Sequence, residues 1–240
     1  MALYGKIKKK LGKAPYRAAV IVAAGSSTRL GQDKLTLRVG GVPVIERTLT
    51  VFQATACIDE LILVTRMDRI EEFAALRDKL GLSKLRQVVA GGSTRAESSL
   101  AGVLAVSGKA TTIGIHDAAR PLVTPDLIRA TYETAEKCQA AAPTLPLKDT
   151  VKILENGYLV STPPRDGLAA VQTPQVFQAD LIRAALTEAI KNKLPITDDC
   201  SAVEALGLKI MAVEGSEENI KITTAPDVAL AEEIIRRRSK

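Results

Sequence analysis

Short apolar runs alternate along the chain with longer stretches in which apolar positions recur every three or four residues. The runs at 18–23, 61–65, 86–90, 111–116 and 140–146 predict β-strands. Between them lie helical patterns. One starts near Pro43 and carries Val44, Leu49, Val51 and Phe52. Another runs from Asp68 through Ile70, Phe73 and Leu76 to Leu80. A third extends from about Thr94 to Val106, and a fourth follows Pro125, with proline at the first helical position. Strand, helix, strand at this spacing predicts right-handed βαβ units and a mostly parallel sheet.

The rhythm breaks after residue 146. Two short alternating runs, 151–154 and 158–160, flank Glu155-Asn156-Gly157, and an Asn-Gly pair in that setting predicts a hairpin. An isolated hairpin is marginal in water, so this arm, at about 148–167, needs a surface to pack on, and a second subunit is the natural one. The α/β rhythm then resumes with helices near Gln178 and Asp199, a strand at 209–214 and a closing helix from about Pro226.

Composition narrows the picture. The 240 residues are 46% hydrophobic but only 3% aromatic, with no Trp, so the core must be aliphatic, the palette of a buried parallel sheet. Cys57, Cys138 and Cys200 are isolated and form no CxxC pair, which fits buried free thiols in a reducing compartment rather than a disulfide framework or a zinc site. No run has the length of a membrane span, and the opening MALYGKIKKKLGK is too charged for a signal peptide; a cytoplasmic protein with no membrane partner is expected. The net charge of +6 is concentrated partly at the two ends, and aromatic stacking platforms are scarce, so nucleic acid is not the expected partner.

In an open parallel sheet, ligands bind beyond the carboxyl ends of the strands. Here those ends carry AAGSSTRLGQDK after the first strand, AGGSTRAESS after the third and HDAARP after the fourth; QTPQ, ITDDCS and ENIKIT follow later. The first loop is neither G-x-x-x-x-G-K-[ST] nor G-x-G-x-x-G, since Leu30 and Ser27 stand where those patterns need glycine. Gly25, Ser26, Ser27 and Thr28 still offer amides and hydroxyls, and Arg29 and Lys34 add two positive charges, a combination that can wrap a polyphosphate. Asp117, at a strand end, suits a metal ion or a ribose hydroxyl, against the alternative of a turn. His116 is the only histidine and reads as structural. Arg120 suits an ion pair or a phosphate equally. Arg95 and Ser98 open a helix, where polar and anionic ligands are favoured, although capping by Ser93 or Thr94 would account for the same stretch. Asp198 and Asp199 fit capping better than a paired-carboxylate site. Lys221, between Ile220 and Ile222, alternates out of a strand-like segment.

The first loop resembles the L-A-A-G-x-[SG]-x-R-[ML]-G-x-x-K signature of sugar-type nucleotidyltransferases. AGGSTRAESS, HDAARP, KDTVK, RDGLAAVQTPQVF, ITDD and VEGSEENIKITTAPDVALAEEI then occur in the order seen in the 2-C-methyl-D-erythritol 4-phosphate cytidylyltransferase family, from about Arg17 to the last helix. The resemblance implies a three-layer α/β sandwich with a protruding hairpin arm, one nucleotidyltransferase domain at 17–240 after a basic extension at 1–16, and a homodimer that exchanges arms. It implies transfer of a cytidylyl group from CTP to 2-C-methyl-D-erythritol 4-phosphate, releasing pyrophosphate, as a step of non-mevalonate isoprenoid synthesis, with Mg²⁺ or another divalent cation. Carried over residue by residue, Arg29, Lys34 and Lys221 would be catalytic. Ala23, Ala24, Gly92 and Ser98 would hold cytosine, with Arg95 helping to shape that pocket, Gly25 through Thr28 would approach the phosphates, and Asp117 and Ala118 would lie at the ribose and reacting phosphate. Thr173, Thr197 and Lys221 would line the acceptor site, and Thr150 and Arg165 would reach the acceptor phosphate from the partner's arm. No protein metal ligand is assigned beyond Asp117. Many family members have a longer first loop with proline before the lysine; here the loop is short and Asp33 stands there, as in the molybdenum-cofactor branch. A ribitol 5-phosphate cytidylyltransferase is the near alternative, disfavoured by the second alanine of HDAARP. An inactive nucleotide- or nucleic-acid-binding module is the distant one, disfavoured by the Arg29, Lys34 and Lys221 set.

Overall fold

A computed structural model describes residues 15–25 and 33–239. The chain opens with β1 (Arg17–Val22). A tight hairpin, β2 (Arg38–Val39) and β3 (Val42–Pro43), follows, turned by Gly40 and Gly41, both at positive φ. Then come α1 (Val44–Ala54) and β4 (Glu60–Thr65). The helical pattern expected over 68–80 is instead a 3-10 turn at Met67–Arg69 followed by two short helices, α2 (Ile70–Ala74) and α3 (Leu76–Lys79), which bury only Phe73 and Leu76. β5 (Leu85–Ala90) and α4 (Arg95–Ala105) follow, then β6 (Thr112–Asp117), α5 (Pro125–Cys138) and β7 (Ala140–Pro146). The arm holds β8 (Ile153–Glu155) and β9 (Tyr158–Ser161), joined by Asn156 and Gly157 at positive φ. Next are β10 (Ala169–Val171), β11 (Gln175–Gln178), α6 (Ala179–Lys191), α7 (Asp199–Glu204), β12 (Met211–Glu214) and α8 (Ala225–Arg238).

Among the described residues, eight strands form the main sheet. β6, β1, β4 and β5 run parallel side by side, and β12 is parallel to β7. β11 is inserted antiparallel between β6 and β7, and β10 continues antiparallel along β7. These two strands were absent from the sequence expectation, which took QTPQ for a loop. The segment is short and proline-bearing, and its two glutamines hide a strand whose Gln175, Val176 and Phe177 are all buried.

Both faces of the sheet are covered. Along β1, Ala19 and Ile21 join the core under α1, α5 and α8, while Ala18 and Val20 join the core under α4, α6 and α7. This strict alternation, with both sets buried, is why the strands read as unbroken apolar runs. The expected three-layer architecture is present. Helix α4 lies close on the sheet because Gly102 has no side chain; a Cβ there would collide with Val20 and Val64. The packing fixes the carboxyl ends of β1, β5 and β6 at one edge. The β8–β9 arm forms a separate two-stranded sheet, outside the main one.

Candidate active site

The loops beyond those strand ends enclose a pocket of about 350 Å³. Ala23, Ala24 and Gly25 line it from the β1 loop, and Lys34 and Leu35 from the limb by which that loop returns. Gly92, Ser93, Thr94, Arg95 and Ser98 come from the β5–α4 junction, Asp117 and Ala119 from the end of β6, and Lys221 from the segment after β12. The backbone carries the sheet pattern past the strands, since the Ala23 amide donates to Val64 O at 2.7 Å and the Gly91 amide to Thr65 O at 2.7 Å. The β1 and β5 loops then touch. A Cβ on Gly91 would come within 2.7 Å of both the Ala24 Cβ and the Ser98 Oγ. Thr94 caps α4, its Oγ1 accepting from the Glu97 amide at 3.1 Å while the Glu97 carboxylate accepts from the amides of Thr94 and Ser93. That capping box turns the first residues of α4, Arg95 and Ser98, into the pocket.

Charge is concentrated around Asp117. Lys221 Nζ lies 2.8 Å from its carboxylate, Arg95 at 3.5 Å and Arg120 at 3.8 Å. Burial alone would raise the Asp117 carboxyl; the three cations, led by Lys221, hold it far below the usual carboxylate range. Arg95 also reaches Asp199, whose Oδ2 lies 2.7 Å from its guanidinium. Asp199 is fully buried, and its carboxyl is raised by that burial against the opposing pull of Arg95. Arg95 therefore bridges two carboxylates from different elements. His116 lies behind Asp117, fully buried. Its Nδ1 accepts from the Thr173 hydroxyl at 3.0 Å and its Nε2–H donates to Arg120 O at 3.2 Å. Burial lowers its pKa to about 4, so the ring is neutral and structural, as expected from the sequence.

Several expected site residues thus converge: Ala23, Ala24, Gly25, Lys34, Gly92, Arg95, Ser98, Asp117 and Lys221. Ser26, Ser27, Thr28 and Arg29 lie outside the described residues. Ala118 is buried, with its carbonyl accepting from the Thr48 hydroxyl at 2.8 Å; its neighbour Ala119 lines the pocket instead. The buried Thr173 hydroxyl serves the Asp117 amide, at 3.1 Å, and His116. Thr197 is exposed before α7, and Thr150 and Arg165 are exposed on the arm, where Arg165 donates to Lys148 O at 2.7 Å. None of these last three lines the pocket within one chain.

Two features escaped the sequence. Asp198 does cap α7, accepting from the Ser201 amide at 2.9 Å, but Asp199 has a separate role as the buried partner of Arg95. Asn219 is buried behind Lys221. Its side-chain amide donates to Thr173 O at 3.0 Å, and its backbone carbonyl accepts from Arg120 at 2.7 Å, so it ties the Lys221 segment to the loop after β6 and to the turn before β11. Its place in ENIKIT, two residues before the lysine, was the available signal. Among the described residues, no group of three or more His, Cys, Asp or Glu side chains is placed to hold a metal ion, and no helix is long and apolar enough to cross a membrane.

The sequence profile of the 2-C-methyl-D-erythritol 4-phosphate cytidylyltransferase family matches residues 17–237. Proteins of that name from Alkaliphilus oremlandii and Halalkalibacterium halodurans are each 39% identical over 225 residues, covering 92% and 93% of this chain and 95% and 98% of theirs. Among solved structures, the 4-diphosphocytidyl-2C-methyl-D-erythritol synthase of Anaerococcus prevotii superposes with a TM-score of 0.83 at 33% identity, over 93% of this chain and 97% of its own. The 2-C-methyl-D-erythritol 4-phosphate cytidylyltransferase of Thermus thermophilus gives 0.75 at 31% identity, over 90% and 98%.

Proposed function

The chain belongs to the 2-C-methyl-D-erythritol 4-phosphate cytidylyltransferase family, and from that premise we propose that Lys34, Lys221 and Asp117 handle the reacting phosphates. The protein is a cytidylyltransferase. It transfers a cytidylyl group from CTP to 2-C-methyl-D-erythritol 4-phosphate, releases pyrophosphate, and yields 4-diphosphocytidyl-2-C-methyl-D-erythritol in non-mevalonate isoprenoid synthesis. The family match across 17–237 carries this conclusion.

The chemistry needs no covalent nucleophile. A phosphate oxygen of the acceptor attacks the α-phosphorus of CTP in line, and the bond to the β-phosphate oxygen breaks. The protein must bring two anions together and meet the charge that develops between them. Lys34 and Lys221 face one pocket, which supports a shared role at the α-phosphate. Arg29, outside the described residues, is assigned with them on the sequence resemblance. Asp117, ionised beside Lys221, fixes that lysine's ammonium and offers an oxygen at the ribose and reacting phosphate. The small residues Ala23, Ala24 and Gly92 and the polar Arg95 and Ser98 suit a planar base at the other end. Gly25 through Thr28 take the phosphates.

Mg²⁺ or another divalent cation fits as a companion of the phosphates. Asp117 is the one carboxylate that lines the pocket among the described residues, and a lone carboxylate plus phosphate oxygens is a common Mg²⁺ environment. When bound there, the ion would neutralise phosphate charge. Thr150 and Arg165 are assigned to the acceptor phosphate of a partner subunit's site, and Thr173 and Thr197 to the acceptor side of the same site. The exposed apolar arm supports a homodimer. Residues 17–240 act as one nucleotidyltransferase domain, with 1–16 as a basic extension. The three free cysteines suit the cytoplasm, but only Cys200 is buried as expected; Cys57 is half-buried, and Cys138 is exposed at the end of α5. The discriminating assay offers methylerythritol phosphate and ribitol 5-phosphate separately with CTP and Mg²⁺ and follows pyrophosphate. Faster turnover with methylerythritol phosphate is expected. Preference for ribitol phosphate would overturn the acceptor, and CTP binding without acceptor-dependent pyrophosphate would overturn the enzyme.

A further inference from the structure

Lys34 stands between two residues that are each held in place. On one side Leu35 is buried at 2% exposure, and its carbonyl accepts from the Ile45 amide at 3.0 Å. On the other side the two carboxylate oxygens of Asp33 have different partners. Its Oδ1 accepts from the Leu35 amide at 3.0 Å, closing a small turn around Lys34, while its Oδ2 is paired with Arg69. Arg69 comes from the segment after β4, the strand beside β1.

This pair is unlike a mobile surface ion pair, which would contribute little. The Arg69 side chain is only 11% exposed. Its guanidinium lies 4.2 Å from the centre of the buried Phe73 ring, and one edge donates to the Glu72 carboxylate at 2.6 and 2.8 Å. Arg69 is thus held by two residues of its own segment before it meets Asp33. The turn around Lys34 is bolted to the neighbouring strand's loop.

We propose that Asp33 and Arg69 are positioning residues for Lys34: together they fix the returning limb of the first loop so that the lysine faces the pocket. The inference rests on the assignment of Lys34 to the reacting phosphates. Misplacing a charged group by about an ångström can cost up to about a hundredfold in rate, so loosening the tether should lower kcat well before it affects CTP binding.

The test is steady-state kinetics, with thermal melts, on six variants of the full chain. Lys34→Ala should lower kcat roughly a hundredfold, as loss of a charge-stabilising contact does. Arg69→Gln and Asp33→Asn should each lower kcat roughly tenfold, within the reach of such misplacement, with a smaller change in KM for CTP. Asn keeps the acceptor for the Leu35 amide, so Asp33→Ala, which loses turn and tether together, should be worse. In the double variant Arg69→Gln/Lys34→Ala, kcat should fall no further than in Lys34→Ala alone, although the melting temperature falls as in Arg69→Gln. Arg69→Met, whose stem still covers the Phe73 ring, serves if Arg69→Gln does not fold. A normal kcat for Arg69→Gln and Asp33→Asn beside an impaired Lys34→Ala would overturn the proposal. So would a further tenfold loss in the double variant, which would make Arg69 a general structural residue. A near-normal Lys34→Ala would instead overturn the role of the lysine itself.

Discussion

At the scale of single residues, the site depends on buried groups that never touch the pocket. His116 shows this most directly. Its ring is neutral because it is fully buried, which outweighs the opposing pull of the neighbouring Asp117 carboxylate. With a folded pKa of about 4 against about 6.5 in the unfolded chain, the unfolded state binds the extra proton first as pH falls. The stabilisation is complete above pH 6.5 and is lost between 6.5 and 4, where it amounts to roughly 3 kcal/mol. Chemical denaturation at pH 7.5 and pH 4.5 should therefore show a drop in stability that is much smaller in His116→Gln. An equal drop in both proteins would place the acid sensitivity elsewhere. Asp199 makes the complementary point. It follows the capping Asp198 directly, and a carboxylate at a helix start is most simply explained as a favourable partner of the helix amides. Only the fold reveals that it turns inward to Arg95, because no spacing rule links residue 95 to residue 199.

At the scale of elements, the pocket is built where loops from neighbouring strands touch, and Gly91 is the contact. Adding one methyl there forces Ala24 or Ser98 aside, and overpacking of this kind costs about 1–3 kcal/mol. Both displaced residues line the pocket, so Gly91→Ala should raise KM for CTP several-fold. Gly108→Ala, where an added Cβ meets nothing within 4 Å, should leave KM unchanged. Identical kinetics for the two variants would mean that the loops do not depend on this contact. The parallel strands and their loops were legible because burial on both faces leaves long apolar runs, and because Gly, Ser and Thr mark the turns between them. β11 was not, since a short strand with glutamine at each end has no apolar periodicity. Its burial comes from insertion between β6 and β7, a tertiary fact. The broken helical stretch after β4 misled for a related reason. Phe73 and Leu76 are spaced as one helical face, but the segment buries little else and splits into short turns. One of those turns carries Arg69, so the departure from a regular helix is also what brings that guanidinium to Asp33.

At the scale of the whole molecule, the arm is the part least covered by the rest of the chain. Among the described residues β8 and β9 pair only with each other, and Leu154, Tyr158 and Leu159 are 64%, 76% and 68% exposed. A two-stranded ribbon with such side chains in water has too little burial to hold its shape alone, and a second copy of the chain would cover it. In a two-fold dimer each arm could lie over the other subunit's pocket, which would bring the exposed Arg165, a fork suited to phosphate, to the acceptor. Mixed dimers test this. Lys34→Ala and Arg165→Ala should each be nearly inactive alone. If Arg165 acts across the interface, a heterodimer of the two carries both defects in one site and none in the other. Random exchange makes half of the dimers hetero, each with one working site, so the mixture should recover about a quarter of wild-type activity if the sites are independent. If Arg165 serves its own subunit, every site in the mixture keeps one defect and activity stays near zero despite demonstrated exchange. An active enzyme that sediments as a monomer would remove the shared site altogether.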